Sequence, residues 1–271
     1  GASIAKAAAA ARDADLVLLC IGTTTEVEHE TLDRKTLKLA GRQEELVKAV
    51  FAANRRAVVI QMSAGPLAVP WLKENVPAIL QAWWSGEEGG HAIADVLFGD
   101  ENPAGRLPHT VYASDEQVPS RDQYDISQGF THMFLRGEPL FPFGHGLSYT
   151  AFTYTNVRLS AQAIAADGAL TVAADVKNTG AREGEEVAQL YVRKPNSRVK
   201  RALQELRGFQ RFALKPGEMR TVTFALPGEK LAYWDTEKHA FVVEPGEYDV
   251  LIGASSGDIR VVSRFTVTAP R

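Results

Sequence analysis

A change in hydrophobic rhythm near residue 150 restricts the fold of this chain more than any other feature. Before it, continuous apolar runs alternate with stretches of helical period; after it, apolar and polar residues alternate within short segments. Asp15 introduces Leu16-Val17-Leu18-Leu19-Cys20-Ile21, and Ala57 to Met62 and Ala78 to Trp83 repeat the pattern. Such runs belong to strands covered on both faces. Ahead of the first run, Ile4 to Asp13 is Ala-rich, and between the first two Gly41 to Asn54 places Leu46, Val47, Val50 and Phe51 on one helical face. A glycine-bearing turn, Ser85 to Gly90, opens a further helix ending near Phe98. Strand, helix, strand, short helix, strand, helix predicts an open parallel sheet.

From residue 151 the expectation is an all-β sandwich. Segments such as Phe152 to Leu159, Leu170 to Lys177, Glu186 to Val192 and Gly246 to Gly253 are separated by turns, including Asn178-Thr179-Gly180 and Glu244-Pro245-Gly246. Phe152, Tyr154, Phe209, Phe212 and Trp234 fall in patterns that suggest core or interdomain packing rather than an exposed aromatic face. Tyr112 to Tyr149 fits neither rhythm and reads as an ordered connection over the surface. The division is therefore 1–111, 112–150 and 151–271.

Thirty Lys and Arg against thirty-three Asp and Glu leave a net charge of −3. No basic stripe marks a nucleic-acid binder, and no apolar run approaches the ~20 residues of a membrane span. One cysteine excludes an intrachain disulfide framework and a multi-thiolate zinc site, and Cys20, inside an apolar run, reads as a buried inert thiol. Phosphate-loop, nucleophile-elbow and His-Glu-x-x-His motifs do not occur.

The segment after the first apolar run holds Glu26, Glu28, His29, Glu30, Asp33 and Arg34. Ligands of open α/β sheets bind beyond the carboxyl ends of the strands, where this segment must lie. Crowded carboxylates can raise one carboxyl toward a general acid's pKa while an arginine holds another ionised; the same composition also describes a solvated acidic loop. Gly86-Glu87-Glu88-Gly89-Gly90 carries acids where a phosphate would sit and reads as a structural turn. Trp83 and Trp84 read equally as core or as a wall for a sugar ring.

Several segments together resemble glycoside hydrolase family 3. Glu28-x-Glu30-x-x-Asp33-Arg34-x-x-Leu37-x-Leu39-x-Gly41-x-Gln43 resembles the family's acid/base segment. Ala82 to Asp100 resembles its aromatic-glycine segment, followed by Asn102-Pro103-Ala104-Gly105-Arg106-Leu107-Pro108. Pro142 to Thr150 is similar to the close of its second domain, and Val176 to Gly180, Gln189 to Val192 and Leu206 to Phe209 to its fibronectin-III-like domain. The resemblance runs along essentially the whole chain.

It implies part of an α/β-sandwich domain followed by a fibronectin-III-like, immunoglobulin-like sandwich, from a retaining exo-acting β-glycosidase, a β-glucosidase or a relative such as a β-xylosidase. Glu30 takes the general acid/base place, with Glu28 as runner-up; Thr31 stands where the family has glycine. Asp33 and Arg34 are expected to support the acid, Asp33 by pairing with Arg34 or capping the next segment, and Trp83 and Trp84 to contact the sugar. The nucleophile Asp belongs to an N-terminal (β/α)8 barrel that the chain does not contain, so the chain is expected to be inactive alone. The expected partners are a β-glucoside or oligosaccharide and that barrel, with no metal or organic cofactor, no nucleic acid and no membrane; the expected location is periplasmic or secreted. The other reading is a non-catalytic scaffold, a carbohydrate-contacting module or a dimerisation module.

Overall fold

A computed structural model describes residues 2–269. The chain forms two compact units. The first runs to Asp100 and adds Val111–Val118 and Glu138–Phe141; the second comprises Glu101–Thr110, Pro119–Gly137 and the chain from Pro142 onward.

The first unit contains α1 (Ala2–Arg12), β1 (Val17–Gly22), α2 (Gln43–Ala53), β2 (Ala57–Met62), α3 (Pro70–Asn75), β3 (Ala78–Gln81) and α4 (Gly89–Phe98). The strands form a parallel sheet in the order β1-β2-β3. α2 buries Val47, Val50 and Phe51, the stripe its period predicts. Asn54 closes it and donates to the carbonyls of Ala11 (3.0 Å), in the last turn of α1, and Ala14 (2.7 Å), just beyond it. α3 starts at Pro70, whose missing N–H costs nothing in a first turn. Gly99, at φ +82°, ends α4 in a left-handed cap.

One expectation of the apolar runs fails. On one sheet face Ile21, Ala57, Val59 and Gln61 are buried, but on the other Leu18 is 46% exposed and Cys20 is also exposed. β1 is an edge strand, and its part of this face is open although Ile60, the register partner of Cys20 on β2, is only 3% exposed; Cys20 is therefore not a buried thiol. α4 is bare as well: it buries only Gly89, and Phe98 is 79% exposed. Leu140, within the 112–150 stretch, is buried, and Phe141 bridges to buried Val111 just before it, so part of the connection enters the first unit's core instead of lying over its surface.

The second unit begins with a short helix, α5 (Thr131–Phe134), and continues as a β-sandwich. Its strands are β4 (Phe152–Leu159), β5 (Ala163–Ile164), β6 (Ala169–Asn178), β7 (Gly184–Arg193), β8 (Glu205–Leu214), β9 (Met219–Pro227), β10 (Tyr233–Asp235), β11 (Ala240–Val242), β12 (Gly246–Ser255) and β13 (Asp258–Val267). A three-stranded sheet β4-β6-β9 faces a sheet β5-β13-β12-β7-β8, with β10-β11 as a separate hairpin. Alternate residues fill the core, among them Val172, Val176, Leu190, Val222, Val250, Ile252 and Phe265. The Tyr248 hydroxyl donates to the Glu244 carbonyl at 2.8 Å, the corner contact of immunoglobulin-like sandwiches. Phe152, Tyr154 and Phe212 lie in the core, but Phe209 and Trp234 are exposed, against expectation. Trp234 packs edge-on against Phe241 of the hairpin, away from the two main sheets.

Segments that resembled the family outside the acidic loop serve this packing. Asn102 donates to the Glu183 carbonyl (2.9 Å) and accepts from the Ser148 hydroxyl (2.9 Å) and the Tyr149 N–H (2.8 Å). Arg106 pairs with buried Glu186 at 2.7 Å. Gln189 donates to the Gly144 carbonyl at 3.1 Å, and a side chain at Gly144 would collide with Gln189.

Candidate active site

The acidic segment begins where β1 ends. Gly22, at φ +148°, brings the backbone so close to Met62 that any Cβ would strike the Met62 carbonyl. Gln43, at the start of α2, reads both sides of this peptide: its Oε1 accepts from the Gly22 N–H and its Nε2 donates to the Gly22 carbonyl, each at 2.7 Å. The strand end is thereby held and the segment leaves in a defined direction.

Six residues on, Glu28 turns inward and is 8% exposed. Its Oε1 accepts from the Thr23 hydroxyl and from the N–H groups of Ala64 (2.9 Å) and Gly65 (3.4 Å). Its Oε2 meets Arg34 Nε at 2.6 Å. Arg34 Nη2 also donates to the Pro66 carbonyl at 2.7 Å. Gly65 is needed here, because a Cβ would sit 2.9 Å from Arg34 Nη2. Burial pushes the Glu28 carboxyl up, but the Thr23 hydroxyl, the Arg34 charge and the Ala64 and Gly65 amides together hold it below the ordinary glutamate value. Glu28 is a fixed anion with no proton to give near neutral pH.

Glu30 is placed in the opposite way. His29 and Leu32 exchange backbone hydrogen bonds at 3.2 and 2.9 Å, which leaves Glu30 and Thr31 at the tip of a two-residue turn with Glu30 exposed. The Thr31 N–H donates to His29 Nδ1 at 3.3 Å, so the neutral ring carries its proton on Nε2. Thr31 is not among the residues with positive φ, so threonine at the family's glycine position brings no backbone strain. Asp33 is exposed.

Trp83 has φ +58°, a conformation that a bulky residue adopts only when its surroundings impose it. The turn swings Trp84 back, and its indole N–H donates to the Thr23 carbonyl at 3.2 Å. Trp84 remains 41% exposed. The next turn is structural: Gly89 N–H donates to the Gly86 carbonyl at 3.0 Å, and a Cβ on Gly89 would collide with Ser85. Beyond the acidic segment, Asp115 accepts from the Leu37 N–H and the Thr36 hydroxyl, both at 2.6 Å. These bonds hold its carboxyl below the ordinary aspartate value.

The structure thus gathers Glu28, Arg34 and Trp84 around Thr23 and the turn after β2, and leaves Glu30 on the tip between its two anchors. Thr23, Ala64, Gly65, Gln43 and Asp115 are the contributors that sequence reasoning did not assign. Ser63-Ala64-Gly65-Pro66 carries no local signal beyond that of a turn after an apolar run, and Asp115 lies 78 positions from Leu37, beyond any local signal. Among the described residues no three His, Cys, Asp or Glu side chains converge as metal ligands, and no helix is long and apolar enough to cross a membrane.

The family described as "Glycosyl hydrolase family 3 C-terminal domain" matches residues 1–149, and the "Fibronectin type III-like domain" matches residues 186–256. A β-glucosidase of Rhizobium radiobacter is 44% identical over 275 residues, which cover 96% of this chain and 33% of the relative. A β-xylosidase of Formosa agariphila is 40% identical, covering 95% of this chain and 36% of the relative. The solved β-glucosidase of Kluyveromyces marxianus in complex with glucose superposes with a TM-score of 0.91 at 37% identity, covering 99% of this chain and 33% of that one. The chain therefore spans about a third of the length of the relatives it matches.

Proposed function

Since the chain belongs to glycoside hydrolase family 3, as its C-terminal portion, we propose that it carries the general acid/base of a retaining exo-acting β-glycosidase, a β-glucosidase in the first instance, and that Glu30 is that group. One observation carries the reading: of the two candidate glutamates, Glu28 is buried and locked as an anion, whereas Glu30 stands exposed on a turn built by its neighbours. An acid/base must be reached by the glycosidic oxygen and later by water, and a buried carboxylate with filled lone pairs serves neither step.

In this mechanism an Asp from the N-terminal barrel attacks the anomeric carbon. The bond to the leaving oxygen breaks while Glu30 gives that oxygen its proton, and a glycosyl ester forms on the Asp. Glu30, now a carboxylate, takes a proton from water as the water oxygen displaces the Asp, which returns both carboxyl groups to their starting states. Trp83 and Trp84 are proposed as a wall beside the sugar. Trp84's indole N–H is used within the protein, so it would contribute its ring face rather than a hydrogen bond. Glucoside and xyloside relatives both occur, and the pentose-or-hexose choice is assigned to the barrel.

The test uses leaving groups. In the full-length enzyme containing this chain, Glu30→Gln is expected to lower kcat/KM for an alkyl β-glucoside by about 10²–10⁴-fold. Cleavage of a dinitrophenyl β-glucoside, whose leaving oxygen departs unprotonated, should change little in the pre-steady-state burst. Alkyl-glucoside turnover that survives Glu30→Gln removes the assignment. The chain on its own should turn over neither substrate.

A further inference from the structure

The acidic loop is fastened at both ends by one ion pair. Glu28 and Arg34 meet at 2.6 Å, and the residues between them form the turn that carries Glu30. Neither partner is free to follow the loop. Glu28 is bonded to the Ala64 and Gly65 amides, Arg34 to the Pro66 carbonyl, and both are therefore tied to the chain leaving β2. Thr23 bonds Glu28 through its hydroxyl and Trp84 through its carbonyl, which adds the chain leaving β3. A short loop closed by a buried pair has few conformations left, and a proton donor must be held within fractions of an ångström of its target.

We infer that Glu28 and Arg34 are positioning residues for the acid/base, a clamp that aims the Glu30 turn from the ends of β2 and β3, with the Trp84 indole as its outer brace. The inference rests on the acid/base reading of Glu30 and adds what makes it effective: the Glu28–Arg34 pair touches no substrate and acts on the protonated step alone. Arg34 is suited to this because its planar fork spans Glu28 and Pro66 together, which an ammonium cannot do.

The experiment compares Glu28→Gln, Arg34→Lys and Glu30→Gln in the full-length enzyme, with an alkyl and a dinitrophenyl β-glucoside. Glu28→Gln and Arg34→Lys should lower kcat for the alkyl glucoside by roughly 10- to 100-fold, since misplacement by an ångström costs about that much. KM, and the dinitrophenyl burst, should stay within about threefold. Amide exchange across residues 29–33 should speed up in each clamp variant and stay unchanged in Glu30→Gln. A second pair change, Glu28→Gln with Arg34→Met, leaves no unpaired buried charge and so keeps the fold; it should still show the alkyl-specific loss.

Equal losses on both substrates that follow the thermal midpoint would make the clamp merely structural and overturn the inference. A Glu28→Gln loss as deep as that of Glu30→Gln, with exchange at 29–33 unchanged, would also overturn it. If instead Glu30→Gln shows no dependence on leaving group, the acid/base reading itself fails, and the two failures are told apart by that control.

Discussion

At Gly65 a single added carbon reaches the heart of the site. A Cβ there would lie 2.9 Å from Arg34 Nη2 and 3.4 Å from Glu28 Oε2, so the ion pair must shift. Gly65→Ala is expected to cost roughly 1–3 kcal/mol, as overpacking does, and calorimetry on the isolated chain reads it directly. Gly22→Ala should be worse, because the collision is with the Met62 carbonyl and a backbone cannot swing aside. Both glycines follow apolar runs in the sequence, but nothing local says what they make room for. The reason is physical: Glu28 and Gly65 are 37 positions apart, and no periodicity reports a contact of that span. Glu30 and Glu28 are likewise indistinguishable by residue type, and only burial separates them.

At the scale of elements, the rhythm of apolar residues placed the strands and helices well, because each element's period is set by the face it buries. It failed where burial is not local. The runs at β1 and α4 are apolar enough to be covered, yet Leu18 is 46% and Phe98 79% exposed. The stretch from Tyr112 to Tyr149 has no period since it is shared between the two units. Turn chemistry was more legible. Asn178, seen as the start of Asn178-Thr179-Gly180, is fully buried and uses all its capacity: it donates to the carbonyls of Arg182 (2.8 Å) and Leu214 (2.9 Å), and accepts from the Thr150 hydroxyl (2.7 Å) and the Gly180 N–H (3.0 Å). Asn178→Ala strands those groups and should destabilise the sandwich by about 3 kcal/mol in chemical denaturation. Asn178→Asp should not restore it, for an aspartate has no N–H to offer the two carbonyls.

For the whole molecule, the ionisable groups predict a stability that falls on the acid side in two stages. His132 is half-buried, stacked on Phe143 at 4.3 Å with both ring nitrogens shielded and neither hydrogen-bonded, and this burial lowers its pKa. The unfolded chain therefore binds that proton first, and stability declines as pH drops below about 6.5. His109, also lowered by burial, acts in the same sense. The carboxylates follow. Arg158, Thr221 and Asn156 hold Asp175 far below its ordinary value. Burial raises Asp249 and Glu28, but Arg193 and Arg264 around the first, and Thr23 and Arg34 around the second, outweigh it. A carboxyl with a depressed folded pKa adds stability above its unfolded value of about 4 and loses it as pH falls through the folded one. Thermal midpoints should thus hold near neutrality, slope gently below about pH 6.5 and drop steeply below about pH 4. His132→Phe should flatten the first slope and leave the second; a first slope unchanged in that variant would refute the role of His132.

The open β1 edge of the first sheet's second face has a practical corollary. Cys20 sits on it and is the chain's single thiol, so it works as a clock for whatever comes to rest there. A maleimide should label Cys20 quickly in the 271-residue chain, at the pace of an ordinary open thiol. Any longer chain or assembly that shields the face should slow the labelling, and the ratio of the two rates would report how often the shield lifts.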